Sequence, residues 1–221
     1  MTIARIRRIA SREALAERGH PDGFVAAITF VATLILVESL AGGPLAAGQP
    51  PVAAALFWIA MAFAAILATT RSFDRELEDD AIDAILALPG GRDALYGGKV
   101  VALTALLALV ALVGGLLSGV LLSLAIALPG HLALVLVAGV LGLPPVIVLF
   151  VTIALRLRAR GALVPILALP VLVPQLVAAT NGTAAAIIGD ATGALGWTGL
   201  LIAFALVYSV LGLTIVPTAL E

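Results

Sequence analysis

Apolar residues dominate this chain in six long runs, at about 24–41, 52–70, 100–128, 132–155, 162–180 and 197–216. Each reaches or exceeds the roughly 17 to 25 residues that an α-helix needs to cross a bilayer. A helix is the form expected, because hydrocarbon offers no partner for an unpaired backbone group. The third run is long enough to tilt or to add a turn. Two segments follow a different pattern. Residues 1–18, at about 100° per residue, place Ile3, Ile6, Ala10 and Ala14 on one face and Arg5, Arg8 and Arg12 opposite, with Glu13 and Glu17 at the border. This predicts a helix lying on the membrane surface within residues 1–20. Residues 73–88 gather Phe73, Leu77, Ala81, Ala84, Ile85 and Leu88 in one stripe and Glu76, Asp79, Asp80 and Asp83 on the other side, before Pro89, Gly90 and Gly91 stop the pattern. The expected fold class is all-α: a polytopic membrane protein with six transmembrane helices, an N-terminal interfacial helix and a cytoplasmic amphipathic helix.

Composition narrows the class. Hydrophobic residues make up 62% of the chain and mean hydropathy is +1.22, well above the roughly half apolar usage of soluble domains. The 221 residues leave room for six spans and short connections, hence one membrane domain over 1–221. A formal net charge of -1 provides no basic field for nucleic acid. With no cysteine, disulfides and thiolate metal sites are excluded. The first apolar run exceeds a usual signal-peptide core and leads into another span, so it reads as an uncleaved helix.

The positions of the charges orient the spans. All twelve Lys and Arg fall in three clusters: Arg5, Arg7, Arg8, Arg12 and Arg18; Arg71, Arg75, Arg92 and Lys99; Arg156, Arg158 and Arg160. The connections near 42–51, 129–131 and 181–196 hold none. By the positive-inside rule the clusters, both termini and the 73–88 helix face the cytoplasm. An acidic helix there is repelled by the anionic inner leaflet, and so suits a protein partner better than lipid.

Within the spans, Gly114, Gly115, Ser118 and Gly119 form two small-residue pairs four apart. Such pairs permit close helix approach, either within the chain or to a second copy of it; Gly115 and Gly119 are taken as the packing pair. Pro144 and Pro145 in the fourth run, and Pro165, Pro170 and Pro174 in the fifth, each remove a backbone donor, and together they point to kinked or broken helices facing protein or a cavity. Trp58 sits a turn or two inside the second run, short of a belt position. Glu38 lies near the outer end of the first, where it can snorkel. His20 and His131 fall on opposite sides of the membrane, so no two-histidine centre forms and no metal site is expected; His131 is a weak candidate for touching haem. No G-x-x-x-x-G-K-[S/T] loop is present, and the chain is read as a non-enzyme whose ATP would be hydrolysed by a partner.

Two stretches carry a family resemblance. Residues 73–89 combine Phe73, a run of acids, Leu77 and a closing Leu88-Pro89, and residues 159–174 combine Arg160-Gly161 with Pro165, Pro170 and Pro174. The pattern resembles the CcmB, or haem exporter protein B, permease subunits of cytochrome c maturation over nearly the whole chain, and the order of elements is similar to that of the wider ABC-2 exporters. The resemblance implies a bacterial inner-membrane permease with 73–88 as coupling helix and Phe73, Leu77, Asp79, Asp83 and Ile85 facing the ATPase. It further implies the cytoplasmic ATPase CcmA, membrane subunits CcmC and CcmD and the haem chaperone CcmE as partners. No cofactor is implied to be resident: haem would be cargo and ATP would act through the partner, coupled to haem export or to release of the loaded chaperone. A generic ABC-2 permease for a lipid or drug, and a non-transporting membrane scaffold, remain open alternatives.

Overall fold

The computed structural model describes residues 2–42, 49–78, 90–155 and 160–219, all organised by seven helices. They are α1 (Thr2–Gly19), α2 (Asp22–Gly42), α3 (Pro50–Glu78), α4 (Gly91–Leu121), α5 (Pro129–Ala154), α6 (Arg160–Ile188) and α7 (Ala191–Ala219). Six of these, α2 to α7, are long and apolar enough to cross a membrane. They run alternately up and down, so Arg12, Arg75, Arg92 and Lys99 gather at one end, called here the basic end. Contacts between Arg92 and the Pro217 carbonyl at that end, and between Ser39 and the Leu121 carbonyl at the other, fix the alternation.

Two helices form the centre. In α3 and α5, 67% and 72% of the most apolar stretch is buried, against 22% to 33% in α2, α4, α6 and α7. The outer helices turn rows of Leu and Val outward, including Leu112, Leu116 and Val120 on α4 and Leu206, Val207 and Val210 on α7. An apolar outer face is what a lipid-solvated wall requires. Among the described residues, α5 packs on α6 and α7, α2 on α3, and α3 on α6.

Short polar devices close the turns. At the α6–α7 corner Gly189 adopts φ 94, which only glycine takes without strain, and the N–H groups of Gly189 and Asp190 donate to the Ala185 carbonyl. Asp190 then accepts from the Gly193 N–H and caps α7. The connection 122–128 is not helical; the N–H groups of Ala127 and Leu128 donate to the carbonyls of Ile187 and Ala186, satisfying the open end of α6.

Several element limits differ from the sequence reading. The third span begins at Gly91 rather than near 100 and ends at Leu121 rather than 128. The fifth continues to Ile188 instead of stopping near 180. The second continues through Phe73 and Leu77 to Glu78 as one helix with the span. In α3 and the first turns of α4 polar residues stay helical because neighbouring helices receive them, as with Arg75, Glu76 and Lys99.

The prolines do not break α5 or α6. Both helices run through, held by packing on each side. Pro144 and Pro145 are buried at the centre, whereas Pro170 and Pro174 lie on the exposed surface. Pro144 and Pro145 leave the carbonyls of Val140 and Leu141 without their helical donors. Next to this weak point, Tyr96 of α4 directs its hydroxyl between the carbonyls of Pro145 and Tyr208, at 3.1 and 3.2 Å, and so ties α4 to α5 and α7. Gln175 of α6 donates to the Gly139 carbonyl at 2.7 Å. Trp58 is fully buried on Gly139 and donates to Thr183 Oγ1 at 2.9 Å, a core anchor rather than a membrane-belt residue.

Candidate functional site at the basic end

The densest buried polar chemistry lies where α1 crosses α3 and α4. Lys99, in the third turn of α4 after the glycine pair Gly97 and Gly98, has no exposed surface. Its Nζ lies 2.7 Å from Glu13 Oε1, 2.7 Å from Ser72 Oγ, 3.2 Å from the Ser72 carbonyl and 4.9 Å above the centre of the Phe73 ring. Ser72 Oγ donates onward to Glu13 Oε2 at 2.8 Å. Glu76 Oε2 sits 3.2 Å from the ammonium without an aligned hydrogen bond, while its Oε1 accepts from Arg12 Nη2 at 2.6 Å. Two cations and two carboxylates thus close a neutral cluster joining three helices.

Burial would raise the Glu13 carboxyl. The Lys99 ammonium, with hydrogen bonds from Lys99 and Ser72, outweighs burial and holds it below the ordinary 4.5. Beside the cluster, Arg75 of α3 donates to Glu17 Oε2 at 2.7 Å and to the His20 carbonyl at 3.0 Å. Glu17 Oε1 accepts the Phe24 N–H at 2.6 Å. One arginine therefore fastens the α1–α2 turn to α3.

The local sequence explains why α1 docks here. Ile6 and Ile9 lie over Gly97 and Gly98; a Cβ on Gly98 would meet Ile9 at 2.5 Å and one on Gly97 would meet Ile6 at 2.9 Å. Ile6, Ile9, Glu13 and Glu17 follow helical spacing on one face. That face is rotated by about one residue from the expected Ile3, Ile6, Ala10 and Ala14 stripe, and Ala14 is exposed. Glu13 and Glu17, which disturbed the amphipathic pattern, are its inward contacts. Arrangements of this kind link the motion of separate helices, because pulling one partner away strands a buried charge.

The family described as CcmB protein matches residues 5–221. The chain belongs to the CcmB family. It is 26% identical over 167 residues, 76% of this chain and 75% of the other, to Heme exporter protein B of Bradyrhizobium diazoefficiens.

In this CcmB-family chain the residues singled out from sequence separate into groups. Phe73 is buried at 1% exposure under Lys99, and Leu77 packs partly buried against the core, both within α3. Asp79, Asp83 and Ile85 lie outside the described residues. On α4 the close approach within the chain is at Gly114, where a Cβ would meet Val31 at 2.8 Å and Phe57 at 3.3 Å, not at Gly115 or Gly119. Gly115 has only Leu136 at 3.9 Å and Gly119 has open space, because that pair lies one residue round the helix. Pro165 is half-buried on α6. His131 stands half-buried in the first turn of α5, at the end opposite the clasp. Among the described residues no group of three His, Cys, Asp or Glu is placed to hold a metal.

Sequence reasoning had counted Lys99 as a topology charge and did not pair it. The available signal was its place after two glycines at the head of a long apolar run, opposite acids on an otherwise basic helix.

Proposed function

We propose that this chain is the membrane-embedded permease subunit of an ABC-type assembly for haem export in cytochrome c maturation. The observation that carries this reading is the CcmB family match across residues 5–221; the relative named as a haem exporter supports it. Haem is the substrate of the assembly, and ATP is hydrolysed by a separate subunit, CcmA, since the chain has no phosphate-binding loop. CcmC and CcmD in the same membrane and the chaperone CcmE complete the expected set. The basic end faces the cytoplasm of a bacterial inner membrane, a reading supported by its arginines.

Docking of the ATPase is assigned to Asp79, Asp83 and Ile85, just past the end of α3. The burial of Phe73 and Leu77 in α3 supports a lever reading: a push beyond Glu78 enters a helix continuous with the core, and the Lys99 clasp passes it to α1 and α4. The test is co-expression with CcmA and purification in mild detergent. Asp79→Lys with Asp83→Lys should abolish co-purification while the permease elutes as a folded species, and an ATPase-dead CcmA should stop cytochrome c maturation. Retained co-purification would remove the docking assignment. Maturation that persists with the dead ATPase would favour a scaffold.

A further inference from the structure

Beside the clasp a cavity of about 480 Å³ opens between α1, α2, α3 and α4. Its two ends differ in chemistry. One end, at the α1–α2 turn, carries Arg18 and Arg75; the other runs down α4 past Ala102, Leu106 and Leu109, facing Phe24 of α2. From Ala102 to Leu109 the apolar trough is about 10 Å long at the helical rise. It lies along helices that cross the membrane, and its polar mouth lies at the charged end of the bundle.

The carboxylates at the mouth are already engaged. Glu13 receives Lys99 and Ser72, and both oxygens of Glu17 are taken by Arg75 and the Phe24 N–H. The charged residues that line the cavity are Arg18 and Arg75 with Glu13 and Glu17, and Asp22 stands in the same turn. Arg18 is exposed at the rim and forms no ion pair among the described residues. Of the lining charges, Arg75, Glu13 and Glu17 are paired, and Arg18 is left to meet an outside anion beside an apolar trough.

We infer that this cavity binds an anionic phospholipid, with one acyl chain along α4 and its phosphate at Arg18 and Arg75. Its occupant is a lipid rather than haem, because no imidazole, thiol or thioether lines the cavity to ligate iron. It is a lipid rather than a free phosphate, because most of the lining is apolar. Lipid bound here fills the gap between α2 and α4 and braces the α1–α2 turn. The assignment stands independently of the transport reading.

The experiment uses the full chain, with co-purifying subunits retained, in mild detergent. Native mass spectrometry and thermal melting are followed with added phosphatidylglycerol, phosphatidylcholine or water-soluble glycerol phosphate. Phosphatidylglycerol should stay bound and raise the melting temperature more than phosphatidylcholine. Arg18→Gln should weaken its binding by about fivefold, the worth of one arginine near an anionic surface, with phosphatidylcholine binding unchanged. Leu106→Trp should fill the trough and reduce retention of both lipids. Equal binding of the two lipids by the wild-type chain, or no loss on Arg18→Gln, would overturn the proposal. So would equal stabilisation by glycerol phosphate, or haem absorbance that phosphatidylglycerol displaces.

Discussion

At the residue scale, Lys99 determines what its neighbours can be. An ammonium with no exposed surface is stable only while Glu13, Ser72 and Glu76 surround it. Lys99→Met should strand the Glu13 carboxylate, leave Glu76 to Arg12 alone and cost about 3 to 5 kcal/mol, read as a lower melting temperature in detergent. Adding Glu13→Gln to it should recover part of that loss, since the two residues are coupled. The pH dependence has a definite sign. Glu13 is held below its ordinary 4.5, so its contribution is complete above that value and is lost as pH falls through its folded pKa. With Lys99, Arg12, Glu76 and Ser72 facing it, the melting-temperature gap between wild type and Glu13→Gln should narrow below pH 4.5. A gap that stays constant in acid would show that the carboxylate is not the titrating source. None of this pairing was legible from sequence, because Glu13, Ser72 and Lys99 are far apart in the chain and only the crossing of three helices makes them neighbours.

At the scale of the element, the glycine pair on α4 governs the seat of α1. Gly98→Leu should lift α1 off α4, with overpacking costs of about 1 to 3 kcal/mol, and speed tryptic cleavage at the N-terminal arginines. Unchanged cleavage would place the hold on α1 elsewhere. The crossing of α4, α5 and α7 obeys the same physics: Gly212 lies against the Tyr96 ring and hydroxyl, where no Cβ fits. Gly212→Ala should therefore destabilise more than Tyr96→Phe, which keeps the ring and gives up hydrogen bonds worth about 1 kcal/mol net. The six spans could be read directly from the apolar runs, but their ends could not. The α4 start at Gly91, the α6 end at Ile188 and the α3 extension to Glu78 depend on partners supplied by other helices. Of the stripe from Phe73 to Leu88, Phe73 packs under Lys99, and residues 79–88 lie outside the described residues.

At the scale of the whole molecule, the absence of native cysteine makes orientation directly measurable. Single substitutions His131→Cys and Asp190→Cys should label with an impermeant maleimide from outside intact spheroplasts, and Arg18→Cys only after lysis. The reverse pattern would invert the assigned topology. Sequence alone determined that the chain is a helical membrane protein with six spans, that its basic residues fall in three clusters, and that it has CcmB-like order. Those properties are sums over long segments, and hydropathy and charge bias add up without knowing which helix touches which. Only the tertiary structure decided that α3 and α5 form the centre and that Gly114, not Gly115 or Gly119, marks a close approach. It also decided that Glu13 and Glu17 turn inward to meet Lys99 and Arg75. Lipid gives no hydrophobic drive to choose among helix faces, so that choice rests on shape and on paired charge. Both exist only once the helices have met.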